Sequence, residues 1–497
     1  MPAHRFPIAA LNRALALWSG LSGGLRDSVF YGASLGWTKA LAMLTLPLLT
    51  AMLAPADFAR LELLSSAGEI GALFAGAGLV DTAYRFASGT DAKGKRAAGE
   101  ILGLATLIAL AGIGLTVAFA APLAAMMPLP TKAAEIVLLG SAVALEALIA
   151  VPLAFMRMRG KAGTYAAATA IRSTVQAGLV AGCVAAGWGV TGVLAGGMVA
   201  AVAAAGVLAA RQARDSGLIV APQRSGHLLA YGVPLVGGGL ASFVLGTADR
   251  WLLAGTVDAA NIGQYALAAK IAMVAALLTQ PFELWWYPRR VGLLTQTGGI
   301  AQSARIVTAG ITLTVLAAAG AAVAGPILIH ALTPPAYHAA AAMVPWLCAA
   351  IALQSLGSLV NVGCYAGKTG AMPMLINMAA AAVALACYAL LIPAYGVDGA
   401  IAATVAAQGA RFGLFLIVSQ RRVHVPLSLR PLLLPIGCAM AAAALPQVPG
   451  LGLLGYAGGV ALMLAGVVLA MISGAVPSPV AFRARPAAAL AEAGAGA

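Results

Sequence analysis

Apolar blocks of about 20 residues follow one another along almost the whole chain, and one helix needs a block of that length to cross a bilayer. Of the 497 residues, 62% are hydrophobic and only 9% are charged, whereas a soluble domain carries roughly a quarter charged residues. Uniform apolarity favours helices over the alternating strands of a membrane barrel. We therefore predict an all-α integral membrane protein with about 14 transmembrane helices. The predicted spans are 28–53, 58–86, 98–123, 133–156, 163–186, 190–210, 228–255, 262–287, 304–331, 339–366, 371–393, 397–420, 428–446 and 450–474.

The basic residues predict which ends of these spans face the cytoplasm, because cytoplasmic loops are enriched in Lys and Arg. Alternate loops hold most of the 29 Lys and Arg residues, and the opposite ends hold only Arg60 and Lys132. Both termini are therefore expected in the cytoplasm, with residues 1–27 as a lead-in to the first span rather than a cleaved signal peptide. This topology accounts for the net charge of +14, which does not indicate nucleic-acid binding.

The cysteines and histidines show no spacing typical of a metal or redox site. All five cysteines lie inside apolar blocks without a CxxC pair, and the five histidines are dispersed at or near span ends. No nucleotide-binding loop is present, which argues against direct use of ATP. We expect neither a metal ion nor a cofactor.

A weak internal repeat divides the chain into two similar halves. YGASL at 31 matches YGVPL at 231, FARLEL at 58 matches IGQYAL at 262, and WGVTGVLAG at 188 matches YGVDGAIAA at 395. The matches keep their order at an offset of about 200 residues, as in transporters built from two repeats. Six spans per repeat predict parallel halves. The predicted segments are an N-terminal segment 1–27, an N-lobe 28–212, a cytoplasmic linker 213–227, a C-lobe 228–420, two extra spans 421–474 and a low-complexity cytoplasmic tail 475–497.

Three stretches of the sequence are similar to a known family of membrane proteins. They are residues 28–86, from SVFYGASLGW to VDTAYRF; residues 247–274, TADRWLLAGTVDAANIGQYALAAKIAMV; and residues 394–405, AYGVDGAIAATV. They resemble spans 1, 2, 7, 8 and 12 of the polysaccharide-biosynthesis flippases, which belong to the multidrug/oligosaccharidyl-lipid/polysaccharide exporter superfamily. The resemblance implies two six-helix lobes in a V, with two extra C-terminal helices. It also implies a central cavity faced by spans 1, 2, 7 and 8.

Basic residues deep in the spans are the candidates for binding cargo in that cavity. A charge in the middle of a bilayer costs roughly 2.5–3.5 kcal/mol, so such residues usually face protein or water. A lipid-linked sugar carries a pyrophosphate, and burial of that anion needs matching positive charge. The candidate pyrophosphate-binding residues are Lys39, Arg250 and Lys270, with Arg60 and Arg85 as gates at the two ends of span 2.

The deep acidic residues have several possible partners. Glu69 is expected either to pair with Lys39 or to couple transport to an ion gradient. Arg172 and Glu146 are interpreted as a structural ion pair, while Arg411 has no assigned partner.

Asp249 and Arg250 stand side by side near the outer end of span 7. Neighbours on a helix point about 100° apart, so we expect each charge to have its own partner rather than to neutralise the other. One interpretation is that Arg250 snorkels to the outer interface. The other places Arg250 in the outer part of the cavity, with Asp249 ordering the neighbouring helix.

Span 7 also contains a candidate hinge. Proline removes a backbone donor and glycine adds conformational freedom, so together they can break or kink a membrane helix where a cavity solvates it. The candidate hinge residues are Pro234, Gly237, Gly238 and Gly239.

These features favour a flippase that moves an undecaprenyl-pyrophosphate-linked oligosaccharide across the bacterial inner membrane, and not an enzyme. The alternatives are a cation-coupled multidrug antiporter of the same fold and a membrane polysaccharide polymerase. The antiporter would need mainly acidic residues in its cavity, and the polymerase a substantial outer loop. Expected partners are the lipid-linked oligosaccharide and membrane lipids, with a polysaccharide polymerase and chain-length proteins as further candidates. The protein is expected to be a monomer.

Overall fold

The computed structural model describes residues 23–76, 78–87, 89, 91–221, 226–366, 371–428 and 430–475. All regular secondary structure in these ranges is helical. The α-helices are α1 (Gly23–Met52), α2 (Pro55–Gly76), α3 (Leu79–Phe86), α4 (Ala92–Ala118), α5 (Ala120–Met126), α6 (Ala133–Met158), α7 (Ala162–Ala185), α8 (Gly189–Ser216), α9 (Gly226–Gly246), α10 (Ala248–Leu253), α11 (Ala259–Trp286), α12 (Arg290–Leu294), α13 (Gly299–Leu332), α14 (Val344–Val360), α15 (Ala371–Arg422), α16 (Arg430–Ala444) and α17 (Gly452–Ile472). Short 3₁₀ helices cover Pro335–Met343, Asn361–Tyr365 and Leu445–Gln447. Most of the predicted N-terminal segment and the predicted tail lie outside these ranges.

Ten helical stretches in the described ranges are long and apolar enough to cross a membrane. The prediction of an all-α, multi-pass membrane protein is therefore confirmed, whereas the count of 14 spans stays a prediction. The two counts differ because one of the ten stretches, Ala371–Arg422, contains two predicted spans, and because the predicted spans 163–186, 228–255 and 428–446 have no counterpart among the ten. In the last of these, α16 is only 15 residues long.

The chain forms two compact units. The first unit comprises Met1–Leu53 and Leu64–Gly239, and the second comprises Ala54–Leu63 and Leu240–Ala497. In the first unit, Leu79, Ile101 and Phe155 are buried where α3, α4 and α6 meet. In the second, Trp286 and Phe415 are buried among α11, α13, α14 and α15. The predicted lobe boundaries stay predictions.

Small residues let helices of the first unit approach closely, as is usual in membrane bundles. Gly196 of α8 packs on the backbone of α7, where a β-carbon would lie 2.9 Å from the nitrogen of Val180. Gly140 of α6 packs directly on the side chain of Thr116 in α4. A hydrogen bond of 3.0 Å from Trp37 Nε1 to Thr174 Oγ1 joins α1 to α7.

The backbone of the candidate hinge is helical, since α9 runs without interruption from Gly226 to Gly246 across Pro234, Gly237, Gly238 and Gly239. Gly239 also has a packing reason to be glycine, because the side chain of Leu73 occupies the space that a β-carbon would need. The hinge role of this segment stays a prediction. The break in the predicted span 7 comes later, at Thr247, between α9 and α10.

The long helix α15 is two consecutive helices joined at Gly396, which has φ 56° and ψ −126°. Only glycine adopts this backbone region without strain. A β-carbon here would also lie 3.1 Å from Val257 Cγ1.

We expect Gly396→Ala to destabilise the protein by about 1–3 kcal/mol, the usual cost of a strained backbone position. Gly413→Ala is the matched control, because Gly413 lies in the same helix with open space around its Cα. This control should be neutral or slightly stabilising. Thermal unfolding of the detergent-solubilised variants measures both effects, and equal melting temperatures would contradict the role of Gly396.

Candidate functional site

Lys270 forms an ion pair near the middle of α11 in the second unit. Its Nζ atom lies 2.9 Å from Oε1 of Glu62, which is on the second turn of α2. The Lys270 side chain is 36% exposed and that of Glu62 is 11% exposed, so one end of the pair is accessible and the other is buried. Lys270 was predicted as a cargo-binding residue, and its pairing with Glu62 was not.

Close packing between the start of α2 and the start of α11 holds this ion pair in place. Gly263 of α11 lies directly against the backbone carbonyl of Pro55, leaving no room for a β-carbon. Phe58 is buried and packs edge to face on Tyr337, with ring centroids 6.0 Å apart. The side chain of Gln264 donates a 2.9 Å hydrogen bond to the carbonyl of Ala336. The FARLEL and IGQYAL segments of the internal repeat therefore pack within one unit.

Asp249, Arg250 and Tyr265 form a buried polar cluster in the same unit. Arg250 Nη1 lies 3.1 Å from Asp249 Oδ1, and their side chains are 8% and 4% exposed. The hydroxyl of Tyr265 donates a short hydrogen bond to Asp249 Oδ2, which ties α10 to α11. Arg250 also donates to the carbonyl of Gly246 at 3.1 Å, and its guanidinium lies 5.6 Å from the centre of the Tyr265 ring.

The expectation that Asp249 and Arg250 do not neutralise each other is wrong. In a regular helix the two side chains would point about 100° apart, but the helix is broken at Thr247 and Asp249 lies in the first turn of α10. Side chains on a helix tilt towards its N-terminus, so Arg250 folds back past Asp249 to reach Gly246. The expectation that Asp249 has a further partner on a neighbouring helix agrees with its bond to Tyr265.

The predicted ion pair between Arg172 and Glu146 forms in the first unit. Arg172 on α7 donates from Nη1 and Nη2 to the two carboxylate oxygens of Glu146 on α6, at 3.1 and 2.7 Å. Bidentate pairing of this kind is geometrically specific and stronger than a single contact. The pair joins the two helices near the middle of α7, which fits the predicted structural role.

The other predicted site residues have separate surroundings. Arg60 lies 3.2 Å from Asp57 one turn earlier on α2. Arg85 is exposed at the end of α3, with its guanidinium 5.7 Å from the ring of Phe86. The ion pairs among the described residues do not include Lys39 with Glu69, so the pairing expected between these two is not formed. Lys39 is half-buried on α1 and Glu69 is exposed on α2.

Three polar partners of these charged residues were not predicted from the sequence: Glu62, Tyr265 and Asn377. Glu62 lies inside predicted span 2, so its depth was a usable signal. Tyr265 partners Asp249 across 16 residues, a separation that no local pattern marks. Arg411, which had no assigned partner, donates a hydrogen bond of 2.8 Å from Nε to the side-chain oxygen of Asn377.

Within the described ranges, no group of three or more His, Cys, Asp or Glu side chains is arranged to hold a metal ion. The five cysteines are free thiols, with Cys348 and Cys364 buried. The charged and polar groups described in the second unit include the Lys270–Glu62 ion pair, Arg60 with Asp57, and the buried polar cluster of Asp249, Arg250 and Tyr265.

Solved structures of flippases and transporters share this fold. The lipid II flippase MurJ, in an inward closed conformation, matches with a TM-score of 0.69 and 11% identity, over 89% of this chain and 98% of that chain. An inward-facing multidrug resistance MATE family transporter of the MOP superfamily matches with a TM-score of 0.55 and 15% identity, over 78% and 97% of the two chains. The Vibrio cholerae MATE transporter VcmN matches with a TM-score of 0.56 and 13% identity, over 80% and 95%. The chain therefore has the fold of the MOP flippases and transporters.

The sequence itself matches the polysaccharide biosynthesis protein family over residues 25–290, more than half of the chain. The chain belongs to that family. No curated protein matches it at a significant level. The predicted family resemblance and fold class are confirmed, and the solved neighbours named above are a flippase and transporters rather than enzymes.

Proposed function

We propose that this protein is a flippase that moves an undecaprenyl-pyrophosphate-linked oligosaccharide from the cytoplasmic to the outer leaflet of the bacterial inner membrane by alternating access. The cargo is a repeat unit of O-antigen, exopolysaccharide or capsule. Membership of the polysaccharide biosynthesis protein family supports a role in polysaccharide biosynthesis. One structural neighbour is named as a flippase of a lipid, which supports a lipid-linked cargo.

The Lys270–Glu62 ion pair is the observation that carries this proposal. An ammonium group has three N–H donors, and Glu62 takes one of them. The partly exposed side chain of Lys270 can offer the others to a phosphate oxygen. Glu62 stabilises the lysine while cargo is absent, because an uncompensated charge in apolar surroundings is costly.

The remaining basic residues take different roles in this proposal. Arg60, two residues before Glu62 on α2, is a second contact for the anionic headgroup, and its partner Asp57 is 50% exposed. Arg250 is enclosed by Asp249, Gly246 and Tyr265, so we assign it to the organisation of the second unit rather than to direct contact with cargo. Lys39 and Arg85 remain candidate contacts on the first unit.

Transport of a fluorescent pyrophosphate-linked oligosaccharide lipid in proteoliposomes tests the proposal. We expect the lipid to become accessible to a membrane-impermeant quencher faster than in protein-free vesicles. Vesicles with heat-inactivated protein are the control for leakage. Proton-driven uptake of a cationic dye, without movement of the lipid, would contradict the proposal and indicate the multidrug antiporter instead.

A further inference from the structure

Two of the five histidines, which are dispersed in the sequence, come together in the second unit. His330 lies in the last turn of α13 and His338 lies in the 3₁₀ helix that follows. Their ring centroids are 4.5 Å apart, with the ring planes inclined at 45°. His330 is exposed and His338 is half-buried, so the pair is accessible from outside the protein.

Hydrogen bonds to the backbone determine which nitrogen of each ring carries the proton. His330 Nδ1 lies 2.8 Å from the carbonyl oxygen of Pro326, and His338 Nε2 lies 3.2 Å from that of Thr333. A carbonyl oxygen only accepts, so each of these nitrogens is the donor when the ring is neutral. The lone pairs of His330 Nε2 and His338 Nδ1 then have no hydrogen-bond partner among the described residues.

This arrangement is typical of histidines that bind metal ions. A ligating imidazole nearly always donates its other N–H to a carbonyl or carboxylate, which fixes its tautomer and orientation. With metal–nitrogen bonds of about 2.0–2.1 Å, the centroids of two imidazole rings on one ion are roughly 4.5 Å apart at a ligand angle of about 90° and roughly 5.2 Å apart at the tetrahedral angle. The observed separation of 4.5 Å corresponds to the smaller of these two ligand angles.

We propose that His330 and His338 form a two-histidine site for a divalent transition-metal ion, with water completing the coordination. Imidazole nitrogen suits Zn²⁺, Cu²⁺ and Ni²⁺ better than Mg²⁺ or Ca²⁺, which prefer oxygen ligands. Two protein ligands leave the remaining positions open, so the bound ion exchanges with solution. Nothing in the proposed transport of lipid-linked sugar requires this site, and the two proposals stand independently.

Metal binding at this site would clamp the connection between α13 and the 3₁₀ helix. That connection contacts the same helices that carry the Lys270–Glu62 ion pair: Tyr337 packs on Phe58 of α2, and the carbonyl of Ala336 accepts from Gln264 of α11. A metal ion that joins His330 to His338 therefore restricts the motion of the segment that packs on the two helices of the Lys270–Glu62 ion pair. We expect Zn²⁺ to slow transport in proteins that retain both histidines.

Titration of purified full-length protein, carrying an affinity tag without histidine, with ZnCl₂ tests the site. We expect one bound ion per chain, and at least tenfold weaker binding in His330→Ala and in His338→Ala. His424→Ala is the matched control, because His424 is exposed and distant in sequence from this pair. It should bind as the wild type does.

Electron paramagnetic resonance of the Cu²⁺-loaded protein provides a second measurement. The wild type should show coupling to two imidazole nitrogens, and each single variant coupling to one at most. The proposal is overturned if the His330→Ala/His338→Ala double variant binds Zn²⁺ as the wild type does. It is also overturned if folded wild-type protein, judged by its melting temperature, binds no more Zn²⁺ than the double variant.

Discussion

Lys270→Ala is expected to lower export of surface polysaccharide roughly 10–100-fold at normal expression, since a hydrogen bond to a charged group contributes about 1.5–3 kcal/mol. The loss has a direct cause in our proposal: the cargo pyrophosphate loses the ammonium that Glu62 holds in place. Lys270→Arg retains the charge and should retain part of the activity. Export is measured as surface glycan per cell, with protein level determined in the same membranes.

Lys161→Ala is the matched control for this loss. Lys161 forms an exposed ion pair with Asp215, with both side chains about half exposed, and such pairs contribute little. Its replacement should leave export unchanged.

The Lys270→Ala/Glu62→Ala double variant distinguishes a role of Lys270 in binding the cargo from a role in neutralising Glu62. If Lys270 only neutralised Glu62, removal of both charges would restore export, because no buried charge would remain unpaired. We expect no restoration, since the cargo contact is still missing. Wild-type export from the double variant would refute the cargo-binding role of Lys270 and leave it as a structural partner of Glu62.

Asp249→Asn is expected to destabilise the protein by about 3–5 kcal/mol, the usual cost of removing one partner of a buried ion pair. Asparagine keeps the size of the side chain and an oxygen that can accept the hydrogen bond from Tyr265. The loss of stability therefore measures the effect of removing the negative charge. Arg250→Met should cost a similar amount. The double variant should be more stable than the sum of the two losses predicts, because neither charge then lacks its partner.

Thermal unfolding in detergent measures these differences, and Arg96→Met is the control. Arg96 pairs with Glu100 one turn along α4, and its side chain is 59% exposed. A pair of this kind contributes about 0.3–0.5 kcal/mol. If Asp249→Asn unfolds at the same temperature as the wild type, the buried cluster does not stabilise the second unit.

The sequence predicted the helical membrane fold because apolar length is a local property that a single chain displays directly. It also predicted the Arg172–Glu146 pair, since two opposite charges deep in adjacent spans have few other ways to be neutralised. The family resemblance depended on ordered motifs such as TADRW and IGQYAL, and the match over residues 25–290 confirms it.

The partners of the other charges could not be predicted, because they depend on backbone geometry and helix rotation. Asp249 and Arg250 meet only because the helix is broken at Thr247, where a regular helix was assumed. Lys270 pairs with Glu62, although Glu62 lies nearer the end of its predicted span than Lys270 does. The pair forms because the start of α2 packs closely on α11 at Gly263. Hydrophobic periodicity does not determine which faces of two uniformly apolar helices touch.

The Lys270–Glu62 ion pair also bears on the electrical work of transport. The pair carries no net charge, so the membrane potential exerts little net force on it when the carrier is empty. The loaded carrier differs, because a pyrophosphate adds negative charge. A potential that is negative inside drives an anion outward with about 2.3 kcal/mol per charge per 100 mV. In the proposed cycle, the membrane potential therefore favours outward movement of the loaded carrier. It exerts little net force on the Lys270–Glu62 pair while the empty carrier returns.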